Sequence, residues 1–264
     1  INTSYGSMNK STMKNKDALV DNKRRAILGG TTAAIAGMAI APGIFLTETA
    51  QARPVDQPVS SKTRWGILIN TNNCNDCNDC VTACQNENGW GAGSSDEKNS
   101  RPDQKAQWIR TVKVTNKETG YAKTLPMMCQ HCESPPCVDV CPTGASFKRE
   151  DGIVLVDKHI CIGCRYCMMA CPYKARSFIH EKLTDQLSYA PRGIGTVESC
   201  TMCVHRVDNG ENPACVNACS DSMIFGDLND PDSNISRELA KHGGTQIRAD
   251  LRLNPGVRYQ GLNV

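Results

Sequence analysis

The sequence predicts an α+β fold in which a small module of strand, cysteine run and helix occurs twice. Three observations lead to this prediction. The chain of 264 residues contains 16 cysteines, two of its segments repeat each other at an offset of 87 residues, and a stretch between them alternates apolar and polar residues as a β-hairpin does. Aromatic residues make up only 5% of the chain, so something besides apolar side chains should help to organise the core.

The repeat consists of a short apolar strand, a turn and a run of cysteines. Residues 67–74, ILINTNNC, align with residues 154–161, VLVDKHIC, and the next three cysteines of each copy keep the same offset. Two looser quartets share an opening C-x2-C and a closing C-x3-C with these copies. The four quartets are Cys74, Cys77, Cys80, Cys84; Cys129, Cys132, Cys137, Cys141; Cys161, Cys164, Cys167, Cys171; and Cys200, Cys203, Cys215, Cys219.

The spacing of these thiols leaves three chemical interpretations. In C-x2-C-x2-C the backbone curls so that three thiolates face one point, and the fourth cysteine points towards a neighbouring iron–sulfur cluster. Zinc usually takes two separate C-x2-C pairs rather than three cysteines within seven residues. Disulfides would join close neighbours in strained geometry. The pattern therefore favours four iron–sulfur clusters over zinc or disulfides. Pro142 and Pro172 each follow a quartet, and we expect each to begin a helix.

Residues 1–52 read as an export signal. Lys23, Arg24 and Arg25 precede an uncharged run over residues 26–47, and the small-residue site at residues 50–52 follows. The paired arginines resemble a twin-arginine signal, although Lys23 departs from the usual pattern. The run is also long enough to remain as a membrane anchor. Because clusters are assembled before export, we expect the twin-arginine route, which carries folded proteins to the periplasmic side of the cytoplasmic membrane.

The remaining composition excludes several functions. Six of the 30 Lys and Arg residues and three of the 27 acidic residues lie in residues 1–52, so the rest of the chain is electrically balanced and gives no support to nucleic-acid binding. After Arg53 the sequence shows no second apolar run of spanning length, so we expect membrane association through partners. No phosphate-binding loop, dinucleotide fingerprint or hydrolase triad stands out.

Local patterns also predict the segments between the quartets. Residues 89–104 read as a mobile loop and residues 107–128 as a hairpin. After Gly226 the sequence predicts a turn, a helix with a serine cap and a stop at Gly243. The tail, residues 243–264, reads as an extended arm lying on a partner, with a disordered terminus as the alternative.

Four cations flank the third quartet: Lys158, Arg165, Lys174 and Arg176. They either offset the negative charge of bound clusters or are ordinary surface residues.

The chain resembles a known family from Arg64 to about Lys241. The resemblance rests on RWGILINTNNC, LPMMCQHCESPPCVDVCPTGA, DKHICIGCRYCMMACPY and ESCTMCVHR. These segments are similar to those of the four-cluster, ferredoxin-like electron-transfer subunits of membrane redox complexes. The resemblance implies two ferredoxin-like di-cluster modules. The inner one covers residues 129–185. The outer one covers residues 53–128 and 186–264, with the hairpin as an insertion and the tail as an arm.

The resemblance further implies that each 4Fe-4S cluster takes ligands from two quartets. The implied groups are Cys74, Cys77, Cys80, Cys219; Cys200, Cys203, Cys215, Cys84; Cys129, Cys132, Cys137, Cys171; and Cys161, Cys164, Cys167, Cys141. Since every position holds a cysteine, we expect four 4Fe-4S clusters with no open iron. This favours a non-catalytic electron relay over a catalytic or sensing cluster protein.

Within the family, the chain most resembles the DsrO-type subunits of DsrMKJOP complexes of sulfur metabolism. This implies two partners, an integral-membrane quinone-interacting subunit of NrfD type and a multihaem cytochrome c. The alternative is the relay subunit of a molybdopterin oxidoreductase, such as a tetrathionate, thiosulfate or polysulfide reductase, or of a periplasmic hydrogenase. In a molybdopterin oxidoreductase, a molybdopterin subunit replaces the cytochrome.

Overall fold

Short helices and strands alternate along the described chain. This computed structural model describes residues 59–91 and 93–262, so the predicted signal segment, residues 1–52, lies outside the described residues. In chain order the elements are β1 (Trp65–Asn70), α1 (Asp79–Glu87), α2 (Ser95–Asn99), β2 (Ile109–Thr115), β3 (Ala122–Met128), α3 (Pro136–Asp139), β4 (Ser146–Lys148), β5 (Val154–Val156), α4 (Tyr166–Ala170), β6 (Ser177–Phe178), β7 (Val197–Glu198), α5 (Val204–Val207), α6 (Ala214–Ala218), β8 (Met223–Asp227), α7 (Asn234–His242), a 3₁₀ turn (Ala249–Leu251) and β9 (Val257–Gln260).

A three-stranded sheet joins the beginning and the end of the described chain. Strand β1 lies in its middle, antiparallel to β8 and parallel to β9. Ile67 therefore has Phe225 opposite it on one side and Val257 on the other. The residues in the middle of β1 are almost completely buried, as expected for a central strand with both neighbours in place.

The tail is part of this sheet, which corrects the predicted extended arm. Residues 257–260 form β9, and Val257 and Tyr259 are fully buried. The hydroxyl of Tyr259 donates a hydrogen bond to the carbonyl oxygen of Pro126, 3.0 Å away. A strand of four residues with two fully buried side chains belongs to the core, so residues 257–260 do not form an extended arm.

The hairpin prediction is confirmed, whereas the loop before it contains unpredicted structure. Strands β2 and β3 pair antiparallel from Ile109 opposite Met128 to Thr115 opposite Ala122. Within the predicted loop, Ser94 caps α2 by accepting a hydrogen bond from the backbone N–H of Glu97. The segment is therefore held in place by a helix instead of forming a loop throughout.

The predicted helix near the C-terminus is confirmed. Ser233 caps α7 by accepting from the N–H of Ser236, and Gly243 ends the helix with a positive φ of 70°. The side chain of Ile235 is fully buried and lies close to Gly226 of β8. A single apolar residue in the first turn thus attaches the helix to the central sheet.

The two prolines after the cysteine quartets follow helices and do not begin them. Helix α3 ends at Asp139, before Pro142, and Cys171 is the C-terminal cap of α4, directly before Pro172. A proline disfavours helical geometry in the residue before it, so helices commonly stop there. The expectation that Pro142 and Pro172 open helices was wrong for this reason.

Among the described residues, we find no helix with the length and apolar character needed to cross a membrane.

Candidate iron–sulfur centres

A left-handed residue closes each opening C-x2-C turn. The residue directly before the second cysteine has a positive φ in all four quartets: 61° at Asp76, 43° at His131, 69° at Gly163 and 55° at Met202. Three of these four are not glycine, so the curl stores backbone strain, as functional loops often do. In the last quartet this turn aims the N–H of Met202 at the Sγ of Cys200, 3.3 Å away.

The two strict repeats also share the start of their helices. Asn78 and Arg165, which are 87 positions apart, both have left-handed backbones, with φ of 63° and 65°. Helices α1 and α4 begin directly after them, at Asp79 and Tyr166. The change of direction separates the fourth cysteine of each run from the first three, as the sequence spacing predicts.

The structure gathers the sixteen cysteines into four groups, each drawn from two quartets. We call them sites 1 to 4. Site 1 contains Cys74, Cys77, Cys80 and Cys219; site 2 contains Cys84, Cys200, Cys203 and Cys215; site 3 contains Cys129, Cys132, Cys137 and Cys171; site 4 contains Cys141, Cys161, Cys164 and Cys167. These groups have the same members as those that the family resemblance implies.

Three of the sites surround open space. The cysteines of sites 1, 2 and 4 line three small pockets, one for each site. In site 3 the thiols lie close enough to raise the pKa of one of their number, Cys132. Burial, followed by Cys129, Cys137 and Cys171, raises the pKa of Cys132 to about 12. Each site therefore presents four sulfurs to one shared space.

The donor set of these sites fits an iron–sulfur cluster. All sixteen cysteines are free of disulfides. Burial raises the pKa of Cys129 to about 12, and burial with neighbouring thiols does the same at Cys80. Such thiols ionise only when a metal replaces their protons. Among residues 59–91 and 93–262, no three His, Cys, Asp or Glu side chains are placed to hold a single metal ion.

The four sites follow one another in a single row. Cys80 of site 1 is among the thiols that raise the pKa of Cys215 of site 2. Cys129 of site 3 likewise contributes to the raised pKa of Cys200 of site 2, and Cys167 of site 4 contributes to that of Cys137 of site 3. The order is therefore 1, 2, 3, 4.

Solvent reaches only the two ends of this row. Cys77 of site 1 and Cys164 of site 4 are exposed, whereas all eight cysteines of sites 2 and 3 are buried. The rim of site 1 is polar, with exposed Asn75, Asp76 and Asn78. At site 4 the exposed Ile162 and Arg165 line the pocket, and the neighbouring segment also exposes the apolar side chains of Ile160, Tyr166 and Met169.

The four cations near the third quartet have different environments. Lys174 is exposed, and the guanidinium of the exposed Arg165 stacks on the ring of Phe178. Lys158 lies 3.9 Å from the carboxylate of Glu198. Arg176 is buried, and its Nη2 donates to the Sγ of Cys137 at 3.0 Å.

Sequence reasoning missed Asn88, which follows the first quartet. Its side-chain amide is buried and donates to the carbonyl oxygen of Cys84 at 2.8 Å, with the Sγ of the same residue 3.6 Å away. The sequence carries no distinctive signal for this role. An asparagine four positions after a cysteine can be exposed or buried, and only the tertiary fold shows which.

The residues and their arrangement define a class of protein. Four sites of four cysteines in one row, on a ferredoxin-like frame, are typical of di-cluster iron–sulfur proteins. Two regions match the family described as 4Fe-4S dicluster domain, residues 67–145 and residues 121–228. Together these matches span all sixteen cysteines.

The similarity extends to curated proteins of redox complexes. The chain is 38% identical over 276 residues to the Hdr-like menaquinol oxidoreductase iron-sulfur subunit 1 of Archaeoglobus fulgidus, covering 90% of this chain and 98% of the relative. It is 35% identical to a tetrathionate reductase subunit of Salmonella typhimurium, covering 84% and 83%. It is 34% identical to a polysulfide reductase chain of Wolinella succinogenes, covering 73% and 91%.

The chain belongs to the family of four-cluster iron–sulfur electron-transfer subunits of multi-subunit membrane oxidoreductases. It carries four 4Fe-4S clusters and is not catalytic by itself. The predictions of the family, of the cofactors and of a non-catalytic subunit are confirmed by these similarities.

Proposed function

We propose that the chain relays single electrons along sites 1 to 4 within a membrane-bound respiratory complex of DsrMKJOP type. In this proposal each site holds one 4Fe-4S cluster, and the four cysteines of that site are its ligands. The main observation in support of this proposal is the order of the four sites in one row. Two fully buried sites lie between two sites that each expose one cysteine, so an electron can enter at one end and leave at the other.

The bound clusters supply one-electron oxidation and reduction. The protein supplies position, environment and insulation from water. Burial of the cysteines of sites 2 and 3 keeps solvent from the middle of the row. The left-handed residues of the C-x2-C turns fix where each sulfur points. No substrate pocket is required for this role.

The two ends of the row have different surfaces, which favours two different partners. The segment that carries site 4 exposes isoleucine, tyrosine and methionine side chains, and exposed apolar patches commonly mark protein interfaces. Site 1 is surrounded by asparagine and aspartate. One partner would thus bury an apolar rim and the other would meet a polar one.

The family relationship supports a proposal for the two partners. The archaeal relative is named as a subunit of a menaquinol oxidoreductase, and the match covers nearly its whole length. A quinol-linked complex fits an integral-membrane quinone-interacting subunit of NrfD type, with a multihaem cytochrome c as the second partner. We propose that the complex acts in sulfur metabolism, on the periplasmic side of the cytoplasmic membrane after twin-arginine export, and that the chain reaches the membrane through its partners.

The similarity to reductase subunits favours a second candidate. The tetrathionate and polysulfide reductase relatives are both named as parts of enzymes that reduce sulfur compounds. In this alternative the cytochrome is replaced by a molybdopterin subunit, and the row of clusters serves a tetrathionate, thiosulfate or polysulfide reductase.

Purification of the intact complex separates the two candidates. The complex would be extracted gently and anaerobically from native membranes and examined by haem spectroscopy, metal analysis and peptide identification. A c-type haem spectrum with a polytopic subunit and no molybdenum is the expected result. Molybdenum with a large subunit and no haem c would instead assign the chain to a molybdopterin reductase.

A further inference from the structure

Arg176 brings a buried positive charge to the boundary between sites 3 and 4. The residue is only 6% exposed. Its Nη2 donates to the Sγ of Cys137, in site 3, at 3.0 Å. Although burial opposes ionisation, the pKa of Arg176 is raised by Cys137 and Cys129 of site 3 and by Cys167 of site 4. The guanidinium thus donates to a thiol of site 3, and that same Cys137 belongs to one buried hydrophobic cluster with Cys167 of site 4.

The guanidinium also has hydrogen-bonding capacity that the protein leaves unused. Its Nε and Nη1 are buried, and neither has a hydrogen-bond partner among the described residues. Buried donors without partners are costly. Sulfur atoms of a bound cluster accept hydrogen bonds, so a cluster in the neighbouring space would satisfy donors that the polypeptide does not.

The internal repeat offers a comparison within the same chain. The offset of 87 places Gly89 at the position of Arg176, so the first copy has no side chain there. In that copy the neutral amide of Asn88 lies next to Cys84. At site 2 the cation near Cys203 is Arg206, whose Nη1 is 2.9 Å from the carboxylate of Glu87. The charge near site 2 is thus paired with an acid, whereas that of Arg176 faces thiols.

We propose that Arg176 raises the reduction potentials of the clusters in sites 3 and 4 together. Reduction adds a negative charge to a cluster, and a nearby cation with N–H donors stabilises the reduced form more than the oxidised form. The half of the row formed by sites 3 and 4 therefore accepts electrons more readily than the same cysteines would without Arg176. This inference rests on the assignment of one cluster to each site in the proposed function.

Potentiometric titration of the intact complex, followed by EPR, tests the inference. The variants are Arg176→Gln, which removes the charge, Arg176→Lys, which keeps it without the fork of donors, and Lys174→Gln as the control. Lys174 loses the same charge two residues away but is exposed. Iron and sulfide analysis of each variant first establishes that four clusters are present.

In Arg176→Gln we expect two of the four clusters to become harder to reduce. Their ratio of reduced to oxidised form at a fixed potential should fall roughly tenfold, which is about 59 mV for one electron. Lys174→Gln should leave all four unchanged. Four clusters with unchanged potentials in Arg176→Gln would overturn the inference but leave the proposed relay intact. Fewer than four clusters in wild-type protein would instead overturn the cluster assignment.

If the Arg176→Gln variant does not assemble its four clusters, the Arg176→Lys variant provides the test. A lysine ammonium is a compact charge that cannot span two sites as a planar fork does. We expect it to retain four clusters and to lower the potential of one of them. Unchanged potentials of all clusters in this variant would overturn the claim that one guanidinium acts on both sites together.

Discussion

At the scale of single residues, the cysteine loops depend on contacts that the cysteine spacing does not reveal. Gly163 and His131 occupy the same position of the C-x2-C turn, both with positive φ. A glycine is therefore not needed for the turn itself. Gly163 is needed because a Cβ there would overlap the carbonyl oxygen of Gly195, which packs against the loop of site 4.

The variant Gly163→Ala should lose the cluster of site 4 and retain the other three. The added methyl must displace a backbone carbonyl, which cannot move as a flexible side chain would. Iron and sulfide content should fall by about a quarter. Gly120→Ala is the matched control, because its φ of 71° is nearly the same and no atom lies within 4 Å of the position that its Cβ would take. Equal iron content in the two variants would contradict this explanation.

For single residues, the sequence predicted part of the site but not all of it. The sixteen ligand candidates follow from their spacing. Two quartets place three cysteines within seven residues, and the two looser quartets share their opening C-x2-C and closing C-x3-C. The role of Arg176 could not be separated from that of Lys174, although they are two positions apart. One is buried and the other exposed, and that difference arises from segments distant in the chain.

At the scale of elements, a buried ion network connects the segment after the first quartet to the centre of the protein. The guanidinium of Arg192 lies 2.9 Å from the carboxylate of Glu198, in β7, and 3.4 Å from that of Asp96, in α2. These three side chains are at most 7% exposed. Helix α2 is thus tied to the strand that borders site 4.

Replacing Arg192 by Met should destabilise the protein by about 3–5 kcal/mol, because two buried carboxylates lose their common partner. Denaturant unfolding, followed through the cluster absorbance, measures the effect. Arg237→Met is the control. It also loses a guanidinium, but one that is exposed and bonded to Asn234 of its own helix, and it should change the stability by less than about 0.5 kcal/mol. A similar midpoint for both variants would show that the network contributes little.

This network explains why the prediction of a mobile loop over residues 89–104 missed helix α2. The glycines, serines and charges of this segment are typical of loops, and their order comes from Arg192, nearly a hundred residues later in the sequence. The tail was misjudged for a related reason, since β9 exists only through its pairing with β1. In contrast, the hairpin and helix α7 have local signals, namely alternation, a serine cap and a glycine stop, and both were predicted correctly.

At the scale of the whole molecule, the row of sites separates a polar end from an apolar end. The order of the sites depends on which cysteines face each other across the fold, so spacing alone does not give it. The repeat again offers a comparison, because Ile162 and Asn75 occupy equivalent positions on the rims of sites 4 and 1. Each directly follows the first cysteine of its run.

The variant Ile162→Asp should weaken the attachment of the partner that covers site 4. Ile162 is 67% exposed, so a charge there should not disturb folding but would be desolvated in an apolar interface. We expect less partner in the purified complex and an unchanged iron content. Asn75→Asp, the equivalent change at site 1, should retain that partner. Retention of the partner in both variants would indicate that it binds elsewhere.

The most direct test of the relay is to break it in the middle. In the intact complex, Cys137→Ser removes a ligand of site 3, and iron analysis with EPR establishes that this cluster is lost or altered. After rapid mixing with a quinol and freeze-quenching, wild-type protein should show reduction of clusters on both sides of site 3. We predict that the variant shows reduction on one side only. Reduction on both sides at the wild-type rate would contradict the relay.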